Sequence, residues 1–184
     1  MKDNFMNKNN RETFKVEWND PKNAGLDLDQ GIDYDERLAP HFTLREMCYS
    51  QTCARLGIIN RMNQPEVIIA RLRTLCQKVL EPLRQACGKV VVVSGYRSDC
   101  VNYVVGGVTN SQHRLGEAAD LYTPTKERAR EYFDFIRNNL EFDQLLLERN
   151  TKTGHFWVHV SYTERRPNRQ MVKSLTSNLS LGTK

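Results

Sequence analysis

FDQLLLERNTKTGHFWVHVSY, residues 142–162, decides how the chain folds. Two apolar-rich runs flank a polar turn that contains Gly154, the pattern of a β-hairpin. If Thr151 to Gly154 form a four-residue turn with Gly154 left-handed, Asn150 pairs with His155 and Glu148 pairs with Trp157. Strand alternation then puts His155, Trp157 and His159 on one face, and Phe156, Val158 and Val160 on the other.

Upstream of the hairpin, PTKERAREYFDFIRNNL (124–140) has the period of an amphipathic helix, with Ala129, Tyr132, Phe133 and Ile136 facing inward. Before it, EAADLY (117–122) reads as a short strand stopped by Thr123 and Pro124. KVVVVSGYRS (89–98) reads as a buried strand whose glycine turn projects Ser94, Tyr96 and Arg97, and DCVNYVVGGVTN (99–110) as a loop. The clearest helix is PEVIIARLRTLCQKVLEPLRQACG (65–88), with Pro65 in its first turn and Ile68, Ile69, Leu72, Leu75, Cys76, Val79 and Leu80 on one side. Pro82 should kink or restart it, and Gly88 should end it. Thr43 and Glu46 have capping-box spacing for a short helix. Helices mixed with hairpin-linked strands predict an α+β domain, a small antiparallel sheet with packed helices. We expect an irregular arm over 1–40, the folded domain over 41–165, and a solvated polar, basic tail over 166–184, on the strength of TERRPNRQMVK.

The chain has 184 residues, 39% of them hydrophobic, enough for one core. Its 27 basic and 22 acidic residues give a net charge of +5, which favours polyanions, nucleic acid and anionic cell wall alike. The charges are scattered and lack the aromatic platforms of a nucleic-acid reader, so no specific nucleic-acid partner is expected. No run approaches the roughly 20 apolar residues of a membrane span, and no export address is legible. Five cysteines, without a CxxC pair, do not form a zinc-finger pattern. Reduced, structural thiols are expected, with a Cys48–Cys53 disulfide as the alternative.

NSQHRLGEAADLY (110–122) sets His113 seven residues before Asp120, with Gly116 to let the chain turn back between them. A catalytic zinc needs three nitrogen or oxygen side chains and one open position. His159, delivered by the hairpin, is the third candidate, and Ala118 beside Asp120 leaves room for ligands from a neighbouring strand.

SGYRS, SQHRLGEAAD and WVHVSY, in that order, resemble the signature of the M15 zinc peptidases, which include D-alanyl-D-alanine carboxypeptidases and L-alanyl-D-glutamate endopeptidases. The likeness runs from about His41 to Tyr162. It implies the Hedgehog/DD-peptidase fold, Zn2+ held by His113, Asp120 and His159, and hydrolysis of peptidoglycan stem peptides. It also implies that Arg97 binds substrate and steadies developing charge; Ser111, a position shared by the family, and Gln112 immediately precede the first ligand and are candidates to hydrogen-bond the peptide terminus. In many such peptidases a glutamate stands three residues before the last histidine ligand; here that position is Phe156. Two general bases are therefore open. Glu148 shares the face of His159 if the turn register holds, and its apolar neighbours Leu146, Leu147 and Trp157 should raise its pKa. His155 is the other. A different class of function, a non-catalytic wall-binding or signalling domain of the same fold, would need the three ligands but not Glu148.

Overall fold

The computed structural model describes residue 23 and residues 25–177. Its centre is the expected hairpin. Strand β5 (Gln144–Asn150) pairs antiparallel with β6 (Phe156–Ser161), and Glu148 opposes Trp157 as the turn length requires. The Asn150 amide donates to the His155 carbonyl at 2.8 Å, closing the turn. On its other side β6 pairs with β4 (Ala118–Thr123), so that Asp120 faces His159 across the ladder. Strand β3 (Val92–Ser94) adds to β4, and β7 (Met171–Ser177) adds to β5, giving the order β3-β4-β6-β5-β7. The class is α+β as expected. Four strands of this sheet are antiparallel, but β7 runs parallel to β5, so the sheet is mixed. A separate small pair is formed by β1 (Arg37–Ala39) and β2 (Phe42–Thr43).

One sheet face is apolar. Ala119, Leu121, Leu145, Val158 and Val160 are fully buried there, in one cluster with Ala129, Tyr132 and Ile136 of the amphipathic helix Lys126–Asn139. Period-2 alternation then turns Asp120, Glu148, Trp157 and His159 to the opposite face, which carries the polar chemistry.

The long helix runs as Pro65–Leu75, a π-type segment Cys76–Leu80, and Glu81–Cys87. Pro82 restarts it rather than ending it: the wider turn, in which the Glu81 amide reaches back to the Cys76 carbonyl, comes immediately before the ring that cannot donate. Thr43 and Glu46 form the expected capping box on helix Leu44–Cys48. A second short helix, Gln51–Leu56, follows it. All five cysteines are free, which excludes the Cys48–Cys53 bridge in this structure.

Four readings need correction. KVVVV is not a buried strand: β3 lies at a sheet edge with Val91 and Val93 exposed, so the valines mark strand propensity and not burial. The span 99–110 is not all loop, because Ser98 caps a helix over Asp99–Val104. Of the arm 1–40, residues 1–22 and 24 lie outside the described residues. The rest of that span is built into the domain, with Leu26, Tyr34 and Leu38 in the core. The basic run after residue 163 is not a solvated tail, since its arginines find buried carboxylates. Arg165 grips Glu117 at 2.6 and 2.8 Å, while Arg166 and Arg169 both bind Asp143. Those pairs deliver the chain into β7; residues 178–184 of the expected tail lie outside the described residues. Among the described residues no helix is long and apolar enough to cross a membrane.

Candidate metal centre

Three elements converge on the polar face of the sheet. Asp120 and His159 come from adjacent strands as direct cross-strand partners. His113 comes from the 3-10 turn Gln112–Leu115, which ends at Gly116 in the left-handed region. A side chain at Gly116 would also press to 2.8 Å from the Ile68 carbonyl, so only glycine lets this turn sit against the long helix.

The geometry is tight. His113 Nε2 lies 3.2 Å from His159 Nδ1 and 3.3 Å from Asp120 Oδ1, and His159 Nδ1 lies 2.9 Å from Asp120 Oδ1. All three residues are buried. The His113 Nδ1–H donates to the Gly95 carbonyl at 2.7 Å, which leaves the Nε2 lone pair directed at the other two groups. Burial pushes the His113 pKa down, favouring the neutral ring. For Asp120, burial alone would raise the pKa, but His113 and the Arg97 guanidinium outweigh it and hold the carboxyl well below the usual range. Neutral imidazole and carboxylate are the ligand forms of these side chains. Ligands held about 2.0–2.1 Å from a tetrahedral zinc stand about 3.3 Å apart, close to the spacing of these three atoms. The donor set therefore fits such an ion, and the three residues form the group of His, Cys, Asp and Glu able to hold a metal among the described residues.

Arg97 lies beside the cluster. Its guanidinium pairs with Asp120 Oδ2 and its Nε–H donates to Ser94 Oγ at 2.7 Å, so Asp120 is held from behind while Oδ1 faces the histidines. Gln112 is buried and accepts the Ser161 hydroxyl at 2.9 Å, fastening the His113 turn to β6. Ser111 precedes that turn, its amide donating to the Val108 carbonyl at 3.1 Å.

Glu148 is half-buried on the same face as His159. Its pKa is raised, by burial first and then by the Asp120 charge, against the pull of His159 and of a hydrogen bond from Trp157. His155 is exposed and stacks on Tyr122 with ring centroids 5.2 Å apart. Four residues of strand, about 13 Å, separate it from His159.

Sequence reasoning missed two supports of this cluster. Gly95 acts through a backbone carbonyl, which leaves no side-chain signature. Asn60, whose side chain donates to the Tyr96 carbonyl at 2.9 Å and accepts the Ser98 amide at 2.7 Å on either side of Arg97, lies in GIINRMNQP, a stretch with no recognisable motif.

A buried His, Asp and His cluster on one sheet face, with a carboxylate alongside, defines the kind of site found in metal-dependent hydrolases. A family model described as Peptidase M15 matches residues 40–161. The chain thus belongs to the M15 peptidases, whose members are metal-dependent and usually use zinc. No curated protein matches the chain.

Proposed function

We propose that this protein is a zinc-dependent peptidase that hydrolyses an amide bond of peptidoglycan stem peptides, either D-Ala-D-Ala or L-Ala-D-Glu. The observation that carries this reading is the convergence of His113 Nε2, His159 Nδ1 and Asp120 Oδ1 within 3.3 Å of one another, in a family of peptidases.

In this reading His113, Asp120 and His159 hold the ion, and Gly95 and Arg97 fix the orientation of two of them. Bound zinc supplies Lewis acidity and an acidified water, the chemistry that amide hydrolysis requires at neutral pH. Glu148 takes the proton from the attacking water and returns it to the leaving amine; its raised pKa suits a group that must both accept and donate. His155 stands too far along the strand to share that water. Arg97 offers a planar cation at the cluster, able to meet a substrate carboxylate or a developing oxyanion. Ser111 and Gln112, at the entrance to the His113 turn, are proposed substrate-side contacts.

Zinc titration of demetallated protein tests the site. One ion per chain is expected, and His113→Ala should lose it. A variant that binds zinc as tightly as the parent removes His113 from the set.

A further inference from the structure

Arg97 stands in a stretch with no regular structure to hold it. Residues 95–98 lie between the end of β3 and the helix Asp99–Val104. One side chain from a distant loop does much of the holding. Asn60 is 1% exposed. Its Nδ2 donates to the Tyr96 carbonyl at 2.9 Å and to the Cys48 carbonyl at 3.0 Å, and its Oδ1 accepts the Ser98 amide at 2.7 Å. The Tyr96 carbonyl and the Ser98 amide belong to the two peptide groups on either side of Arg97. Asn60 thus fixes both peptide planes about the Arg97 α-carbon.

The neighbouring contacts close the brace. The Arg97 amide donates to the His113 carbonyl at 3.1 Å, and the Tyr96 hydroxyl donates to the Arg61 carbonyl at 3.0 Å. The Asn60 amide itself donates to the Gly25 carbonyl at 2.7 Å, so the segment before residue 40 also supports the assembly. Two donors and one acceptor on a single short planar group are the property of the asparagine amide, and neither aspartate nor serine supplies them. In a buried site each unmet partner is costly, which makes the arrangement specific to one backbone position.

We propose that Asn60 is the positioning residue for Arg97: by clamping the backbone on both sides of it, Asn60 sets where the guanidinium meets Asp120 and the substrate. This rests on the peptidase reading of the cluster. Misplacing a substrate-orienting group by about 1 Å costs up to about a hundredfold in rate.

The test is a double-mutant cycle in the full chain with Asn60→Asp, Arg97→Ala and the pair. The probe is the stem pentapeptide L-Ala-D-Glu-L-Lys-D-Ala-D-Ala, which contains both proposed scissile bonds. Alongside kcat/KM, zinc stoichiometry, thermal midpoint and pentapeptide affinity are read for each protein. Asn60→Asp is expected to lower kcat/KM roughly tenfold or more with zinc retained. In the Arg97→Ala background the same change should cost less than about twofold, while its effect on the thermal midpoint persists. A merely structural asparagine would give losses that multiply, and that result overturns the proposal; so does loss of zinc in step with activity. Should Asn60→Asp fail to fold, Asn60→Ser, which keeps one hydroxyl for the same pocket, is carried through the cycle. A parent that cleaves nothing sinks the peptidase reading instead, and the cycle is then decided on pentapeptide affinity, where the same non-additivity supports the clamp and additivity refutes it.

Discussion

Glu148→Gln separates proton transfer from metal binding. The side chains have the same shape, but the amide cannot accept a proton from water at neutral pH. Glu148 opposes Trp157, and His159 opposes Leu146, so Glu148 and His159 are diagonal neighbours about 7–8 Å apart. A glutamate side chain and one water span that distance. Removing a positioned base costs about 10²–10⁴ in rate, and a hundredfold loss corresponds to about 2.7 kcal/mol of barrier. Zinc affinity should hardly move, because Glu148 is not part of the donor cluster. Stability should hold or rise. Burial and Asp120 raise the Glu148 pKa, so its ionised form is disfavoured in the fold. That cost is absent at low pH, appears as pH rises, and is removed by the neutral amide. The assay is kcat/KM for pentapeptide cleavage against pH, with zinc content and thermal midpoint measured on the same samples. The parent's acid limb should lie above the ordinary glutamate value of about 4.3 and should be lost in the variant. A zinc-loaded Glu148→Gln protein at full activity refutes the assignment, and a crippled His155→Ala protein would move the base to His155.

Two further outcomes concern a support of the cluster, Gly95, and the anchor of the last strand, Asp143. Gly95→Ala would drive a β-carbon into the Met47 carbonyl, so the backbone must shift at the point where the Gly95 carbonyl holds His113 Nδ1. Zinc affinity, read by chelator competition, should fall about 10–100-fold. Asp143→Asn removes the buried charge that Arg166 and Arg169 share, and because both arginines are partly exposed and can rehydrate, the loss should be about 2–3 kcal/mol. That corresponds to a fall of about 5–10 °C in Tm. Burial would raise the Asp143 pKa, but the two arginines outweigh it and hold it below the ordinary range. Its contribution is therefore complete above about pH 4 and fades as pH falls further, so the gap between parent and variant, followed by thermal melts, should shrink on acidification.

The hairpin was legible because turn length and strand alternation together fix register, which is how Glu148 and His159 could be placed on one face from sequence. The helix Lys126–Asn139 was legible for a similar reason: its apolar period matches the face it buries. The valine run misled because β-branched residues favour strands at sheet edges as well as in cores. The arginines of TERRPNRQ misled in the opposite direction. Exposed-looking charge density gave no sign of Glu117 and Asp143, buried partners that stand immediately ahead of β4 and β5. The brace at Asn60 was illegible because its partners are backbone groups, whose positions exist only once the chain has folded.

If the proposed function holds, cleavage of a stem peptide requires zinc at His113, Asp120 and His159. Purified peptidoglycan is incubated with the parent protein, with protein stripped by chelator, and with stripped protein given one equivalent of zinc, and the released fragments are identified by mass. We predict fragments from a single type of amide bond with the parent, none after stripping, and full recovery with zinc. Cleavage that survives complete zinc removal, or a zinc-loaded protein that leaves every stem peptide intact, would contradict it.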